Sequence, residues 1–388
     1  MFDKLCSFET FLFLGCLPWY FVASGIWLAL KHVQSLPLIS SNGDTSCPRL
    51  SIIIAARNEA GTIENALKSV LAQNYPNLEI ILVNDRSNDG TDKILQKLAE
   101  KDPRVLIHHV EELPPGWLGK VNAMQQGIGR STGVWLLFTD ADVHFQEESL
   151  ERIIEVAERS SVDYLCVVPE VQARQSLLRA LYTVSLSGFF LATRIWEVKN
   201  QKAFVGVGAC GLVRRSLLSQ SPGLPWLKME VVDDLALAQL VWQVGGKLDV
   251  YWGRECLGVE WYPSMGDLIK GLEKNLFAGA QYQYWRALIG IIGILFIAVA
   301  PWLSIFSSNW LLGLAAVGAF SGYWLSWIPG NKAQGIGWIE RIISPSLLLV
   351  IAWALARSTY ITWRQGGIKW RETFYSVAAL RRGQRLKF

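Results

Sequence analysis

Two long stretches without a charged residue constrain this 388-residue chain more than any other feature. Residues 10–30 are 21 uncharged positions, and a helix that rises ~1.5 Å per residue needs about 20 to cross the ~30 Å apolar core of a bilayer. Residues 287–331 are 45 uncharged positions, enough for two crossings joined near Ser307, Ser308 and Asn309. The chain also has 18 tryptophans, and tryptophan favours the membrane–water interface. We therefore predict a membrane protein with an N-terminal anchor in residues 1–47 and a transmembrane hairpin after residue 286.

The topology after that hairpin depends on a third uncharged segment, residues 342–356, which has only 15 positions. This length is short for a crossing and long for an interfacial or re-entrant segment, so both alternatives stay open. Residues 364–388 form a basic tail, and basic segments beside a membrane stay in the cytoplasm. If the domain between the anchors is cytoplasmic too, an even number of crossings separates it from the tail. We therefore expect a multi-pass protein of the cell membrane in which residues 287–363 cross twice and the third segment dips in without crossing.

Charge and cysteine content exclude other classes of protein. The net charge is +4 and no basic run precedes the tail, so nucleic acid is not an expected partner.

The 14 uncharged positions between Arg179 and Arg194 are too short to span a membrane and are either domain core or a face lying on the membrane. The cysteines are scattered, without a Cys-x-x-Cys pair or a histidine at ligand spacing, and we predict that they are reduced and buried. They are Cys6, Cys16, Cys47, Cys166, Cys210 and Cys256.

Residues 48–286 have the pattern of an α/β domain. Apolar runs at residues 51–56, 79–83, 105–107 and 134–138 are typical of buried parallel strands, and helical patterns separate them. This alternation predicts a parallel sheet covered by helices, with ligands bound at the carboxyl ends of the strands. The sequence has no Walker-type phosphate loop, and Gly206 and Gly208 lack the strand, third glycine and helix of a dinucleotide fingerprint. Kinase and dehydrogenase functions are therefore disfavoured.

Acidic residues follow three of these predicted strands, close to where each strand ends. They are Glu59 after the first strand, Asp85 after the second, and Asp140 with Asp142 after the fourth. A single acid in such a place is usually a turn residue or a helix cap, but turn chemistry does not require acids at successive strand ends. Two carboxylates two residues apart can hold one cation, and hard oxygen ligands suit Mg²⁺ or Mn²⁺ bridging a diphosphate. We therefore predict a site for a metal-held diphosphate, which is a good leaving group.

The motifs around these acids resemble family 2 glycosyltransferases of the GT-A fold. The motifs are IIIAARNE at residues 52–59, VNDRSNDGT at 83–91 and TDAD at 139–142. The resemblance implies a Rossmann-like α/β domain that binds a nucleotide-sugar. It implies that Glu59 and Asp85 contact the nucleoside, and that Asp140 and Asp142 contact the diphosphate and its metal. It also makes Lys120 a donor-side contact, with a solvated helix start as the alternative.

A further element similar to this family is the acidic pair Asp233 and Asp234 before a predicted helix. The family usually has Glu-Asp there and uses the second acid as the base that takes the proton from the acceptor hydroxyl. The resemblance therefore implies that Asp234 is the catalytic base and that transfer inverts the anomeric carbon. The alternative is capping, because acids at a helix start are stabilised by the helix dipole.

The flanking anchors are similar to those of the membrane-bound branch of the family. Processive members carry Gln-x-x-Arg-Trp before the membrane helices, and here Tyr284 stands in the Arg position. Residues 208–215, 273–279 and 367–371 look like smaller enzymes that add one sugar to carotenoid, hopanoid or related lipids. We therefore expect a metal-dependent enzyme that moves a single sugar from a nucleotide-sugar to a hydroxyl of a membrane lipid. A processive polysaccharide synthase is the alternative, and a catalytically silent scaffold is disfavoured because all the expected acids are present.

Overall fold

The computed structural model describes residues 8–38, 47–330 and 336–386. Cys6, position 331 at the end of the predicted hairpin and positions 387–388 of the predicted tail lie outside the described residues. The strands are β1 (Gln34–Ser35), β2 (Leu50–Ala56), β3 (Leu78–Asp85), β4 (Val105–Val110), β5 (Trp135–Thr139), β6 (Val143–Phe145), β7 (Tyr164–Val168), β8 (Glu170–Val171), β9 (Gly211–Arg214), β10 (Leu248–Trp252), β11 (Leu257–Val259), β12 (Gly367–Trp370) and β13 (Thr373–Ser376). The helices are α1 (Phe8–His32), α2 (Ile63–Leu71), α3 (Thr91–Ala99), α4 (Gly119–Arg130), α5 (Ser149–Arg159), α6 (Ser176–Thr193), α7 (Arg215–Gln220), α8 (Asp233–Gln243), α9 (Met265–Gly279), α10 (Tyr284–Ile305), α11 (Trp310–Ser326), α12 (Trp338–Ile343), α13 (Leu348–Gln365) and α14 (Val377–Gly383).

A mostly parallel sheet of eight strands forms the centre of the domain, with spatial order β1-β10-β7-β9-β5-β2-β3-β4. Strand β9 runs antiparallel to both of its neighbours, β5 and β7. The four strands predicted from apolar runs are β2 to β5, each within three residues of its predicted ends. The side chains of β2, β3 and β5 are almost all buried, because helices cover both faces of a parallel sheet, whereas the edge strand β4 is buried only at its two end residues. The fold is therefore the mixed α/β fold that the sequence predicts.

The amino edge of the sheet is tied together by one buried carboxylate, Glu79 at the start of β3. It accepts hydrogen bonds from the Ser51 hydroxyl at 2.5 Å, the Thr132 amide at 2.5 Å and the Arg49 guanidinium at 3.0 Å. Burial alone would raise the pKa of Glu79, but these hydrogen bonds lower it to about 2. The charged form of Glu79 therefore stabilises the junction of β2, β3 and the turn before β5.

The apolar helices pack beside the domain. Helices α10 and α11 are separated by residues 306–309, which is where the sequence predicts the turn of the hairpin. Helix α1 packs against both, and its Trp19 indole donates to the Ile297 carbonyl oxygen at 3.0 Å. The third segment is broken into α12 and α13 by a 3₁₀ turn at Ser344–Leu347. Among the described residues, the stretches long and apolar enough to cross a membrane are Phe8–His32, Ser176–Thr193, Tyr284–Ile305 and Trp338–Gln365, and Trp310–Ser326 is shorter.

The cysteines follow the prediction with one exception. All five that the structure describes are reduced, and four of them are buried. Cys47 is exposed, so the prediction of burial is wrong for this residue. It lies before β2, where the chain runs along the outside of the domain.

Candidate active site

The carboxyl ends of β2, β3 and β5 open into one cavity of about 270 Å³. All five donor-side residues singled out in the sequence line it, although they are up to 83 positions apart in the chain. The lining residues in question are Glu59, Asp85, Lys120, Asp140 and Asp142. Parallel strands bring their carboxyl ends to the same edge of a sheet, so three separate strand-end motifs converge here.

Asp85 lies at the floor of this cavity with a nearly buried side chain. Its carboxylate contacts the Arg86 guanidinium at 2.8 Å and the Arg57 guanidinium at 3.5 Å. The first residue of α4 is Gly119, and a Cβ there would lie 2.4 Å from an Asp85 carboxylate oxygen. Glycine is therefore needed for α4 to begin this close to Asp85. The two arginines are pocket residues to which sequence reasoning gave no role.

Lys120 holds the two acidic motifs together. Its ammonium contacts Asp140 at 2.8 Å and Asp233 at 3.1 Å. Burial alone would raise the pKa of Asp140, but the charge of Lys120 lowers it, so this carboxyl is ionised. Lys120 is therefore not a solvated residue at a helix start. Its two ion pairs join the end of β5 to the start of α8.

Asp142 lies in the same cavity, and among the described residues no Lys or Arg forms an ion pair with it. Its Oδ1 atom is buried and has no hydrogen-bond partner among the described residues. Burial, the charge of Asp140 and the charge of Glu59 raise the pKa of Asp142 to about 7. A carboxylate destabilised by neighbouring carboxylates is stabilised by a cation, so Asp140 and Asp142 fit a divalent metal. Within the described part of the chain, no group of three or more His, Cys, Asp or Glu side chains is arranged to hold a metal ion.

Asp234 follows Asp233 at the start of α8 and lines a smaller space next to the cavity, together with Asp140 and Gly208. Its Oδ1 accepts the amide hydrogen of Leu235 at 2.7 Å, whereas Asp233 is turned toward Lys120. Burial and the charge of Asp233 raise the pKa of Asp234 to about 6. The two adjacent acids therefore have different surroundings, which a shared capping role would not produce.

Gly208 is a site residue that the sequence gave reason to dismiss. A Cβ at this position would lie 2.4 Å from a carboxylate oxygen of Asp140. The carbonyl oxygen of Gly208 also accepts the Asp140 amide hydrogen at 3.0 Å. The glycines at 206 and 208 thus allow the backbone to pack closely against the two acidic motifs. The sequence could not predict this role, because Gly208 and Asp140 are far apart in the chain.

The C-terminal tail folds back over the cavity as a hairpin of β12 and β13. At its tip, Arg371 forms an ion pair with Glu59. The next residue, Glu372, contacts the Arg57 guanidinium at 3.4 Å and accepts a hydrogen bond from the Asn88 amide at 3.1 Å. The basic tail predicted from the sequence therefore contains a folded element that lines the candidate site.

The body of the hairpin makes two further contacts. The Tyr375 hydroxyl accepts the amide hydrogen of Gly119 at 3.2 Å. The Trp370 ring lies 4.0 Å from the ammonium of Lys274, a residue of α9 that also lines the cavity. Burial and the charge of Lys120 lower the pKa of Lys274 to about 8. Lys274 is the one cation of this cavity for which the described residues provide no carboxylate within 4 Å.

Comparison with known proteins agrees with this geometry. The family model described as glycosyl transferase family 2 matches residues 51–221, which contain the three strand-end motifs. The chain carries a family 2 glycosyltransferase domain. The strand-end residues Glu59, Asp85, Asp140 and Asp142 lie inside the matched region of this glycosyltransferase domain, and Asp234 lies beyond it.

Curated proteins similar to this chain include enzymes of both lipid and polymer synthesis. Beta-monoglucosyldiacylglycerol synthase of Nostoc sp. is 26% identical over 262 residues, which are 63% of this chain and 52% of that protein. Poly-beta-1,6-N-acetyl-D-glucosamine synthase of Staphylococcus aureus is 28% identical over 158 residues, 40% of this chain and 36% of that protein. The alignments thus span about half or less of these relatives' own length.

A solved structure supports the fold of this chain. The mannosyltransferase PcManGT from Pyrobaculum calidifontis, in complex with GDP-Man and Mn²⁺, superposes with a TM-score of 0.59 at 19% identity. The match covers 91% of this chain and 98% of that one. The GT-A fold expected from the sequence is confirmed.

Proposed function

We propose that the protein transfers one sugar from a nucleotide-sugar to a hydroxyl group of a membrane lipid. The observation that carries this proposal is the convergence of Asp85, Asp140 and Asp142 around one cavity, with Asp234 in the space that adjoins it, beside helices apolar enough to enter a membrane. The lipid-synthesising relative supports the acceptor class, and it aligns over more of this chain than the polymer-synthesising relative does.

The donor and its metal would be held at the strand ends. Glu59 and Asp85 are proposed to bind the nucleoside. Asp140 and Asp142 would hold Mg²⁺ or Mn²⁺, with the donor's phosphates supplying further ligands, since two protein carboxylates plus substrate phosphates is a common way to bind such ions. When bound, this ion stabilises the charge of the departing diphosphate. Mn²⁺ in the structure of PcManGT is consistent with that choice.

Asp234 is the proposed base. The acceptor oxygen attacks the anomeric carbon, the bond from that carbon to the diphosphate breaks, and Asp234 takes the hydroxyl proton. A carboxyl whose pKa is about 6 is mostly ionised at neutral pH yet more basic than an ordinary aspartate. Lys120 keeps Asp233 and Asp140 in position and is proposed to contact the donor once the diphosphate is in place.

We infer a membrane arrangement in which the domain and the C-terminal hairpin lie on the same side, the cytoplasmic one. Contact of Arg371 with Glu59 supports this, because an odd number of crossings between domain and tail would separate them. Helix α12 contacts the domain through Glu340 and Arg179 at 2.8 Å, and α13 contacts it through Arg357 and Glu273 at 2.6 Å. Both ends of the third segment thus touch the domain, which favours dipping over crossing.

The experiment is incubation of membranes containing the protein with a panel of radiolabelled nucleotide-sugars, Mn²⁺ and added dioleoylglycerol. We expect label in the chloroform-extractable fraction with at least one donor, and label no higher than background with Asp142→Asn. Label confined to water-insoluble polymer would favour the polysaccharide synthase, and no transfer from any donor would contradict the proposal.

A further inference from the structure

A second cavity adjoins the donor cavity. A neighbouring cavity of about 480 Å³ lies between α9, the end of α13 and the hairpin strand β12. It shares four wall residues with the donor cavity, namely Tyr262, Lys274, Trp370 and Arg371. A molecule in the second cavity would therefore lie against the same side chains that face the donor's diphosphate.

The second cavity also borders the apolar helices. Ile361, Thr362 and Gln365 in the last turn of α13 form its wall. Around that level the exposed aromatic side chains are Tyr360 and Trp363 on α13 and Trp285 at the start of α10, which packs against α13. Tryptophan and tyrosine concentrate where hydrocarbon meets water. These aromatic side chains support a position for the cavity at the depth where a lipid presents its headgroup.

The other cavities beside apolar helices lack this connection. One of about 220 Å³, next to α6, includes Gln172, Arg179 and Leu186. Another, of about 520 Å³, lies between α1 and α11. Neither shares a lining residue with the donor cavity. A lipid in either place would be separated from the reacting carbon by protein.

We infer that the cavity between α9, α13 and β12 binds the hydroxyl-bearing headgroup of the acceptor lipid. This inference rests on the proposed function and adds to it the route by which the acceptor reaches the donor. The lining chemistry suits a headgroup: Lys270, Lys369 and Gln365 offer hydrogen-bond donors around the opening, and Ile361 and Ile368 offer apolar surface for the first carbons of the chains.

Lys274 stands at the junction of the two cavities. It lines both cavities, and it shares the donor cavity with Asp140 and Asp142. A headgroup that reaches Lys274 from the membrane side therefore arrives at the cavity that the proposed metal ligands line. Trp370, whose ring covers Lys274, forms the wall on the hairpin side.

The test places a bulky label on a cysteine inside each cavity and compares the same protein before and after labelling. Cys6 and Cys47 are replaced by serine, and Gln365→Cys is introduced in the proposed headgroup cavity. Gln172→Cys in the cavity beside α6 is the matched control, because both glutamines are exposed. Each protein is labelled in detergent with pyrene maleimide. The readouts are transfer to dioleoylglycerol, using the nucleotide-sugar that gives product, and the affinity for the corresponding nucleoside diphosphate.

We expect labelling of Gln365→Cys to reduce transfer at least about tenfold, with the nucleotide affinity changed less than about twofold, since only the acceptor loses its space. Labelling of Gln172→Cys should leave transfer unchanged. The inference is overturned if labelled Gln365→Cys transfers at its unlabelled rate, if it loses nucleotide binding, or if the control loses transfer equally. If the unlabelled proteins transfer nothing from any donor, the proposed function itself has failed and the inference falls with it.

Discussion

Replacing Gly208 by alanine tests the position of the Asp140 carboxylate without removing any functional group. The added Cβ would lie 2.4 Å from an oxygen of Asp140, whereas ordinary van der Waals contacts begin at 3.4 Å. The carboxylate must therefore move by about 1 Å. It has room to do so, because the Asp140 side chain is 34% exposed toward the cavity. The fold should survive while the proposed metal ligand is displaced.

A displacement of about 1 Å in a reacting assembly costs on the order of 100-fold in rate, equal to ~2.7 kcal/mol of transition-state stabilisation. We therefore expect Gly208→Ala to lower the initial rate of sugar transfer about 100-fold in detergent micelles. The matched control is Gly129→Ala near the end of α4, where an added Cβ meets no atom within 4 Å. That variant should keep the wild-type rate and gain slightly in stability through helix propensity.

Thermal unfolding distinguishes a displaced carboxylate from a damaged fold. Both alanine variants should unfold within a few degrees of the wild type. Wild-type transfer by well-folded Gly208→Ala would refute the reasoning, because it would mean that the observed position of Asp140 does not matter for the reaction.

Three other predictions concern the base, the metal and the sheet. Asp234→Asn should lower transfer at least ~100-fold with donor binding little changed, while Asp233→Glu is tolerated. Wild-type turnover should fall as the pH drops through about 6, because the base becomes protonated. Donor binding and turnover are measured for both variants, and equal losses of activity in the two would remove Asp234 as the base. Asp142→Asn should leave the protein folded in membranes with activity lower by orders of magnitude, and activity retained in excess EDTA would contradict metal dependence. Glu79→Gln should destabilise the domain by about 2–3 kcal/mol at pH 7. Because folding lowers the pKa of Glu79 to about 2, its contribution is complete above its ordinary value of 4.5 and is lost as the pH falls toward 2. The difference in unfolding midpoint between wild type and variant should therefore shrink on the acid side, and a constant difference would argue against the charged form.

The part of the site that the sequence predicts is the part built from strand ends. Apolar runs locate β2, β3 and β5, and a parallel sheet then brings Glu59, Asp85 and Asp140 to one edge whatever the loops do. The antiparallel strand β9 was not predicted, because its four residues are too short for a periodic signal.

The hairpin over the cavity was not predicted for a different reason. Arg371 and Glu59 are 312 positions apart, and basic residues in a tail look the same whether they face solvent or an acidic site. The sequence around Lys274 likewise gives no signal of its position in the cavity, because its role depends on which other cations of the cavity already form ion pairs with carboxylates. Contacts between distant segments are set by packing, which composition and periodicity do not encode.

The measurement that tests the central claim most directly is the number of sugars added to each acceptor. The purified protein is incubated with excess nucleotide-sugar and dioleoylglycerol vesicles, and the lipid product is analysed by mass spectrometry over time. Transfer of a single sugar predicts one discrete glycolipid that accumulates without heavier successors. A ladder of products that lengthens with time would contradict the account and favour a polysaccharide synthase.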